Sequence, residues 1–409
     1  MSTPTGPVRV ALIGTRGYGA SHLRTLARLE QAGTARLVGV VDVVDPPEEL
    51  AGIHHRSLAA LLEASGEDER PEIIAIATPI DTHVPLALEA LGAGIDVYLE
   101  KPPVPALVDH GTLLEAAQRA GRSVQVGFQA RGGAGVDVLA AEVAAGNLGE
   151  TPAGSLGEIA AAPLGEITEV AVHGAWQRDR AYYRRSPWAG RRRRDGRRVA
   201  DGVATNPLAH AVHAGLAIAG IAQVQDIATV TCELRRAHDI EADDTTFLRI
   251  DPAGRAPAVV CTLTTAAGRH ENPWVEIRGT RGSHRLWYTE DRSVRTGADG
   301  AREELAHERT DLMENLVAHV RDRSVALVSP LASTAPFSAV LEAIQSVPDP
   351  LPIGEDWVHW HGEDELAYPT IEGLDEAMTR ALATGRPFSE LGVPWAREDA
   401  VATWAPPTA

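Results

Sequence analysis

The residue with the clearest chemical signature is Lys101, the only lysine among the 409 residues. Lysine and arginine number 38 together, so the other 37 basic residues are arginines, a bias typical of a GC-rich coding sequence. Arginine serves as well as lysine in most surface ion pairs. It does not replace a compact ammonium that must contact one atom or release a proton. We therefore interpret Lys101 as a catalytic or cofactor-contacting group; an ordinary lysine retained by chance is the alternative.

A pair of imidazoles is the second candidate. His210 and His213 stand three residues apart in a run with helical spacing, residues 208–216, so they share one helix face. Asn206 and Pro207 come just before, and these residue types are common at a helix N-cap and first position. Two imidazoles on one face could serve a site, because imidazole exchanges protons near neutral pH. A satisfied core histidine is the alternative interpretation for both.

A glycine-rich turn directly follows the apolar run of residues 8–13, which predicts a strand, and a helical pattern follows the turn. Strand, glycine turn and helix in this order present backbone N–H groups and a helix N-terminus to a pyrophosphate. The turn residues predicted to contact a dinucleotide are Gly14, Arg16, Gly17, Tyr18 and Gly19. The dinucleotide fingerprint has glycine where this chain has Arg16. Either Gly17 allows the close approach of the phosphates instead, or the Arg16 guanidinium contacts phosphate.

Asp42 is the candidate partner for the ribose of that dinucleotide. It ends the second predicted strand, 23 residues after Gly19, where a carboxylate would accept hydrogen bonds from ribose hydroxyls. Asp45 is the alternative. A carboxylate here favours NAD over NADP because it would repel a 2′-phosphate. A phosphate contact from Arg16 would weaken this preference, so NADP stays open.

Strand and helix patterns alternate up to residue 127, which predicts a doubly wound parallel sheet. Ligands bind beyond the carboxyl ends of the strands in such sheets. Several residues that follow these strand ends, or begin the next helix, are therefore predicted to contact the cofactor. They are Thr78, Pro79, His83, Glu100, Lys101 and Gln129.

Four motifs, in this order, resemble the Gfo/Idh/MocA family of glucose–fructose oxidoreductases and inositol dehydrogenases. They are the glycine turn, Ala77-Thr78-Pro79 with His83, Glu100-Lys101-Pro102 and Val126-Gly127-Phe128, and they span residues 7–131. The resemblance implies an α/β fold with an N-terminal Rossmann domain, residues 1–131. A C-terminal α+β domain, residues 132–409, would follow on a large open, mostly antiparallel sheet, with a C-terminal segment able to pack back on the first domain. An open face of that sheet would imply a homo-oligomer.

The resemblance also implies roles for the candidate residues. His210 would be the acid–base residue, Lys101 would hydrogen-bond the reacting oxygen, and Asn206 would orient the substrate or His210. The family usually has aspartate where Asn206 stands, and often another where His213 stands. An amide holds the tautomer of an imidazole less well than a carboxylate and does not stabilise its charged form. We therefore expect this half of the site to differ from the family's pattern.

The segment 178–198 is rich in arginine and aromatic residues. It could clamp an anionic substrate through bidentate contacts, or it could be a solvated loop in an arginine-rich chain. For the whole chain, the residues predicted to contact substrate are Lys101, Tyr183, Arg185, Trp188, Asn206, His210 and His213.

The remaining chain is predicted mainly as scaffold. Leu-Gly-Glu recurs at 148, 156 and 164, and we assign residues 150–164 to a loop. Strand patterns occur at 167–176 and five times between 230 and 288, helical patterns occur at 309–320, 338–346 and 371–383, and the tail 402–409 is expected to be loose. The histidines and acids of residues 357–364 lack a further ligand pair with suitable spacing, so no metal site is predicted.

Charge and cysteine content limit the function further. The net charge of −18 argues against a nucleic-acid or anionic-membrane surface. We see no signal-peptide pattern at the start of the sequence and no apolar run of membrane-spanning length. The two cysteines, Cys232 and Cys261, lie in strand-like segments, so a structural disulfide is not expected and a reducing cytoplasm is favoured.

The motifs and the family resemblance together predict an NAD- or NADP-dependent oxidoreductase, and the resemblance implies that hydride moves between the nicotinamide and a sugar, cyclitol or related polyol. Two alternatives stay open. One is an enzyme with tightly bound, recycled NAD that uses transient oxidation for elimination, epimerisation or glycoside cleavage. The other is a non-catalytic dinucleotide- or sugar-binding protein, against which the retained Lys101 argues.

Overall fold

The computed structural model describes residues 6–148, 164–397 and 400–407. Contacts divide the chain into two compact units. The first unit comprises Met1–Gly132 and Thr310–Thr334, and the second comprises Gly133–Arg309 and Ala335–Ala409. The predicted domains, 1–131 and 132–409, differ from this division chiefly in residues 310–334, which belong to the first unit. The predicted loop over 150–164 lies almost wholly outside the described residues.

Helices occur in both units. In chain order they are α1 Gly19–Gln31, α2 Leu58–Ala64, α3 His83–Gly92, α4 Leu107–Ala120, α5 Ala134–Leu148, α6 Arg180–Arg184, α7 Ala209–Ile218, α8 Leu312–Arg321, α9 Ala335–Ser346 and α10 Leu374–Thr384.

The first unit is built on a fully parallel sheet in the order β3-β2-β1-β4-β5-β6. Its strands are β1 Val8–Ile13, β2 Ala35–Val41, β3 His54–His55, β4 Ile73–Ile76, β5 Asp96–Leu99 and β6 Val124–Val126. Every residue of β4 and β5 is buried, as expected for central strands covered by helices on both faces. This order is the doubly wound Rossmann arrangement, which confirms the predicted fold of this part.

Helix α8 joins this unit through an amphipathic face. Asp311 caps it by accepting hydrogen bonds from the backbone N–H groups of Met313 and Glu314 at 2.8 and 3.0 Å. Leu316 and the neighbouring apolar residues of α8 pack in the core cluster that contains Val10 of β1. The sequence predicts the helix but not the unit to which it belongs, because an apolar stripe does not specify the core against which it packs.

The second unit is built on a large mixed sheet. Its strands are β7 Ile167–Gln177, β8 Arg193–Arg194, β9 Arg197–Arg198, β10 Ile227–Arg236, β11 Thr245–Pro252, β12 Ala258–Thr264, β13 Ala266–Gly279, β14 Gly282–Trp287, β15 Arg292–Gly297, β16 Arg302–Ala306, β17 Leu351–Pro352, β18 Val358–His361, β19 Tyr368–Ile371 and β20 Val401–Trp404. The main sheet runs β16-β15-β14-β13-β7-β12-β11-β10-β17, and β20 pairs with β10. Only β7–β12 and β10–β17 pair in parallel among these described strands, so the predicted mostly antiparallel sheet is confirmed.

Helices of the unit cover both faces of the central strands of this sheet. Helix α7 packs on one face, and its Gly215 is needed there, because a Cβ would lie 2.5 Å from Val172 Cγ2. On the other face, Met378 of α10 and Phe388 pack against Phe247 and its neighbours. The expectation of a homo-oligomer rested on an open face. It stays a prediction.

Several local features differ from the sequence-based expectations. The tail was expected to be loose from residue 402, but its first residues form β20, which pairs antiparallel with β10 from Val230↔Trp404 to Glu233↔Val401. Helix α5 and strands β15 and β16 were not predicted. Within the described part of the chain, no helix is both long enough and apolar enough to span a bilayer.

Candidate functional site

The glycine turn after β1 has the backbone geometry that close ligand approach requires. A Cβ on Gly14 would lie 2.6 Å from the Ala77 carbonyl oxygen, and one on Gly19 would lie 2.0 Å from the Gly14 carbonyl oxygen. Neither position tolerates a side chain. Gly17 has a φ of +58°, and a Cβ there would have no neighbour within 4 Å. The sequence left two possibilities for this turn: phosphates approach closely at Gly17, or the Arg16 guanidinium contacts them. The open space at Gly17 favours the first.

Asp42 is held as a carboxylate at the end of β2. Its Oδ2 accepts hydrogen bonds from the Thr15 N–H at 2.9 Å and the Thr15 hydroxyl at 2.7 Å. Burial raises the pKa of Asp42, but these hydrogen bonds and the positive charge of Arg16 outweigh it, so its pKa lies below the ordinary value. Asp45, the alternative, is exposed and forms an ion pair with Arg56. Asp42 therefore fits the ribose-binding role better, and Arg16 lies near it.

A buried carboxylate, Glu100, anchors the backbone of Lys101. Its Oε1 accepts from His22 Nε2 at 2.8 Å and from Gln129 Nε2 at 3.3 Å, and its Oε2 accepts from the Lys101 N–H at 3.2 Å. A Cβ on Gly127 would lie 2.7 Å from Oε1, so glycine after β6 makes room for the carboxylate. Three elements thus fix the position at which the single lysine leaves β5.

His22 and Tyr98 complete this cluster, and sequence reasoning missed both. The rings of Tyr18 and His22 contact edge to face at 5.4 Å, and those of His22 and Tyr98 at 4.9 Å. Gln129 Nε2 also donates to the Tyr98 hydroxyl at 3.3 Å. A signal was present, because His22 is a polar residue on the face of α1 that also buries Leu26. A buried histidine on a core face implies a polar partner.

His83 is buried at the same edge of the sheet, where its ring contacts two backbone carbonyl groups. Its Nδ1 lies 2.9 Å from the Pro102 carbonyl oxygen and its Nε2 lies 2.9 Å from that of Thr78. Burial lowers the pKa of His83, although the two carbonyls oppose this effect. His83 was predicted to contact the cofactor, but its nitrogens face protein carbonyls in the core. Thr78 and Pro79 stay at least partly exposed at the carboxyl end of β4.

In the second unit, Asn206 does not cap α7, so that prediction is wrong. The helix begins at Ala209 with Leu208 at the N-cap, because residues 203–208 form turns. The Asn206 side-chain amide instead donates to Asp201 Oδ1.

The two histidines of α7 differ in exposure although their spacing is helical. His210 is half-buried in the first turn. His213 is 2% exposed, and its ring lies 6.4 Å from that of Phe337. His213 therefore occupies a core position, which does not present its ring to a substrate, whereas His210 keeps an accessible side.

Asp201 places a buried carboxylate one hydrogen bond from Asn206. It is 3% exposed. Arg185 Nη2 lies 3.2 Å from each of its oxygens, and the Gly190 N–H donates to Oδ2 at 2.7 Å. Sequence reasoning sought a carboxylate at position 206 and missed the one five residues earlier. A lone aspartate in the small, apolar run 199–205 was the available signal.

Arg185 reaches Asp201 from a stack of alternating aromatic and guanidinium groups. Arg178 lies 4.7 Å from the Trp176 ring centre and 4.8 Å from that of Tyr182. Arg185 lies 3.9 Å from the Tyr182 ring centre and 4.7 Å from that of Trp188. Such contacts fix the orientation of a guanidinium. Of the predicted substrate residues, Arg185 and Trp188 thus help to hold Asp201.

Tyr183, the third predicted substrate residue of this segment, faces inward. Its hydroxyl lies 2.7 Å from Thr265 Oγ1, and burial raises the pKa of Tyr183 well above its usual value. Its ring packs against that of His238 at 4.5 Å. Tyr183 is therefore a packing residue beside the stack.

Another constellation has catalytic residue types but no access. Glu142 Oε2 lies 3.0 Å from His284 Nδ1, and His284 Nε2 lies 2.8 Å from Ser293 Oγ. This is the order of a nucleophile, base and orienting acid. Ser293 and His284 are both 0% exposed, so a substrate does not reach the hydroxyl, and we assign the group a structural role.

The segment 357–364 forms an exposed hairpin with β19. His359 Nε2 lies 3.2 Å from Glu372 Oε2, and His361 Nε2 lies 2.9 Å from Thr370 Oγ1. Within residues 6–148, 164–397 and 400–407, no group of three or more His, Cys, Asp and Glu residues is arranged to hold a metal ion.

Comparison with known proteins identifies the first unit. Residues 8–128 match the family model GFO_IDH_MocA, described as an oxidoreductase family with an NAD-binding Rossmann fold. Inositol 2-dehydrogenase of Streptomyces avermitilis is 34% identical over 147 residues, which are 34% of this chain and 41% of that protein. Its counterpart in Rubrobacter xylanophilus is 35% identical over 128 residues, 30% of this chain and 36% of that protein. The chain thus matches about two fifths of the length of these relatives.

Solved structures resemble a larger part of the chain. An inositol dehydrogenase homologue from Azotobacter vinelandii, complexed with NADH and myo-inositol, has a TM-score of 0.64 at 16% identity, covering 84% of this chain and 96% of that one. An oxidoreductase from Agrobacterium radiobacter, in complex with NAD+, L-tartaric acid and magnesium, has a TM-score of 0.64 at 16% identity, covering 82% and 94%. At this identity the likeness shows the two-domain fold. Together with the family match it confirms the resemblance drawn from the motifs: residues 8–128 match the NAD-binding Rossmann domain of the Gfo/Idh/MocA oxidoreductase family.

Proposed function

We propose that this protein is a dinucleotide-dependent oxidoreductase acting on a CH–OH group of a sugar, cyclitol or related polyol. The observation that carries the proposal is the carboxyl edge of the first sheet. The glycine turn follows β1 there, and the Glu100-anchored Lys101 follows β5, where doubly wound folds bind their ligands. The inositol 2-dehydrogenases that match this part of the chain support the choice of substrate class.

The residues of the glycine turn and of β2 fit NAD. Gly17 has an open backbone next to the start of α1, which suits a pyrophosphate. Asp42 stays ionised and keeps lone pairs for ribose hydroxyls. Bound dinucleotide would supply the hydride acceptor or donor. The charge of Arg16 near Asp42 leaves room for NADP, so we propose NAD as the preferred cofactor.

Lys101 would donate a hydrogen bond to the reacting oxygen and stabilise the negative charge that develops on it. A preorganised donor of this kind acts most strongly when its backbone is fixed. The hydrogen bond from the Lys101 N–H to Glu100 supplies that fixation.

His210 would take the hydroxyl proton during oxidation and return it during reduction. Asn206 would orient the substrate or His210. Because its amide is bound to Asp201, the orientation of Asn206 is set by a charged group that Arg185 holds in turn. We propose that the Asp201–Asn206 pair does the work of the aspartate that the family usually has at position 206.

The cellular setting is also part of the proposal. Cys232 and Cys261 are free and buried, and burial raises the pKa of both thiols. Protonated, inaccessible thiols suit a reducing cytoplasm, where we propose that the protein acts.

The test has two stages on the full chain. Isothermal titration with NAD and NADP comes first, and failure to bind either would contradict the proposal and favour a sugar-binding protein. A panel of cyclitols, sugars and polyols, each free and phosphorylated, follows, monitored by the absorbance of reduced nicotinamide. Steady formation of reduced cofactor is the expected result. Product formation without net cofactor reduction would point instead to recycled NAD and an elimination, epimerisation or glycoside-cleavage reaction.

A further inference from the structure

The second unit contains a cavity of about 1340 Å³, bordered by α6, the β10–β11 turn, the connection from α9 to β17, and Trp360. Sites for small ligands typically measure roughly 300–1000 Å³, so this one is large. Among the described residues, seven arginines and three acidic residues line it. The wall is therefore positive in a chain whose net charge is −18. A local reversal of charge attracts anions and raises their concentration at the surface.

Three of the lining arginines have no carboxylate partner in the described part of the chain. Arg180 lies 4.3 Å from the ring centre of Trp360, and Arg236 donates through Nε to the Pro350 carbonyl oxygen at 3.4 Å. Arg193 extends from β8, where its neighbours are also arginines. These three side chains come from separate segments of the unit and line one space. Guanidinium groups stay charged at all working pH values, so their charge is available to a ligand.

The other four lining arginines build the wall. Arg184 pairs with Glu365, Arg185 with Asp201, Arg191 with Glu241, and Arg192 with Asp349. Arg192 also donates to the Ile344 carbonyl oxygen at 2.9 Å. Positively charged wall groups that are already fixed lose little conformational entropy when an anion binds.

The unpaired arginines point to a phosphate more than to a carboxylate. A single carboxylate is satisfied by one bidentate arginine, whereas phosphate carries more charge and more acceptor oxygens. A diphosphate or a phosphate on a larger molecule would engage several guanidinium groups at once. Trp360 is 40% exposed and offers an aromatic face at the rim.

The cavity also connects to the proposed acid–base helix. Arg185 lines the cavity, its guanidinium is bonded to Asp201, and Asp201 is bonded to the amide of Asn206. From these observations we propose that the cavity binds the phosphate-bearing part of the substrate, which is therefore an anionic sugar derivative rather than a free polyol. The inference rests on the proposed function, because it takes the ligand to be the substrate.

The first test measures binding alone, without dinucleotide. Inorganic pyrophosphate is titrated calorimetrically into the wild type, Arg193→Glu and Arg194→Glu. Arg193 lines the cavity; Arg194 is its neighbour, is exposed, pairs with Asp195 and does not line the cavity. We expect the Kd to rise at least tenfold in Arg193→Glu and to stay within twofold in Arg194→Glu. Absence of saturable binding, or equal weakening in both variants, would overturn the proposal.

A competition assay then identifies the source of the phosphate. Glucose 1-phosphate and UDP-glucose are each tested for displacement of pyrophosphate. Displacement by the first indicates a sugar phosphate, and displacement by the second alone indicates a nucleoside diphosphate sugar. Failure of both to displace it, or displacement by NAD, contradicts a substrate site. Arg180→Gln provides a second cavity variant, and thermal unfolding of each variant establishes that it is folded. NAD binding, measured separately, tests the proposed function independently.

Discussion

Glu100 and Asp201 are both buried carboxylates next to a proposed catalytic residue, but their partners differ in kind. Glu100 is held by an imidazole, an amide and the Lys101 N–H, all in or beside the first sheet. Asp201 accepts hydrogen bonds from the Gly190 N–H and the Asn206 amide, and it also pairs with the Arg185 guanidinium, which is stacked on aromatic rings. The first carboxylate positions a backbone from within a family motif. The second forms an ion pair near Asn206, where the chain departs from the family's pattern.

This difference indicates where the two halves are sensitive. A carboxylate that accepts hydrogen bonds from several short side chains loses little when one is removed. A buried carboxylate that pairs with a guanidinium loses a balancing positive charge when that group is removed. We therefore expect substitutions near Glu100 to affect mainly the placement of Lys101. Substitutions near Asp201 should affect stability as well as turnover.

The largest expected effect is the loss of turnover when Lys101, whose backbone Glu100 holds, is replaced. Lys101→Arg should lower kcat/KM for the polyol about 10³-fold, because a guanidinium does not place a single donor on the reacting oxygen. Steady-state kinetics with the substrate found in the panel measure this. Arg119→Lys, an exposed exchange on α4, is the control and should leave turnover unchanged. Full activity in Lys101→Arg would contradict the assigned role.

On the Asp201 side, Arg185→Met should reduce the free energy of unfolding by about 2 kcal/mol. Breaking a buried pair costs roughly 3–5 kcal/mol, and partial exposure of Arg185 reduces that figure. Urea denaturation measures the change. The double variant Arg185→Met with Asp201→Asn should regain part of the loss, because it also removes the buried negative charge that Arg185 balanced. A double variant less stable than the single one would contradict the expectation that Arg185 balances the buried charge of Asp201.

On the Glu100 side, Glu100→Gln should lower kcat about tenfold while the free energy of unfolding changes by less than about 1 kcal/mol. The amide keeps the shape but loses the charge-assisted hydrogen bonds that fix the Lys101 backbone. Glu115→Gln on α4 is the matched control, since that residue is exposed and pairs with the exposed Arg119. A loss of stability as large as that of Arg185→Met would show that the two carboxylates do not differ as described.

The smallest expected effect concerns the cofactor. Asp42→Ser should lower the preference for NAD over NADP about fivefold, because it removes the carboxylate that opposes a 2′-phosphate and leaves Arg16. The pKa of Asp42 lies below its ordinary value. Its charge is therefore retained above that lowered pKa and lost only as the pH falls through it. NAD preference should persist at pH values where an ordinary aspartate is half protonated, as dinucleotide titrations at several pH values would show.

The sequence predicted the first half of the site better than the second, for a physical reason. Glycines, strand ends and Lys101 lie in a motif whose spacing fixes their positions at one sheet edge. The partners of Glu100 come from sequence positions far apart, so His22 and Tyr98 were missed although each is a buried polar group.

In the second unit the departures were local. Asn206 has the right residue type for an N-cap, but residues 203–208 form turns, so α7 begins later and the Asn206 amide nitrogen bonds Asp201 instead. The C-terminal tail is short, and its sequence alone does not show that it pairs with the edge of β10 as strand β20. The helical spacing of His210 and His213 predicted that both rings lie on the same face of α7. It did not show that His213, nearly one turn further along the helix, is buried in the core.

The central claim is that Asp201 supplies, through Asn206, the charge that the family usually has at position 206. The most direct measurement is kcat/KM against pH for the wild type, Asp201→Asn and Asp201→Asn with Asn206→Asp. Asp195→Asn, an exposed turn position with a φ of +50°, serves as control. We predict a loss of about 10²-fold in Asp201→Asn with a shifted pH profile, recovery in the exchanged pair, and no change in the control. Wild-type turnover and an unshifted profile in folded Asp201→Asn would contradict the claim.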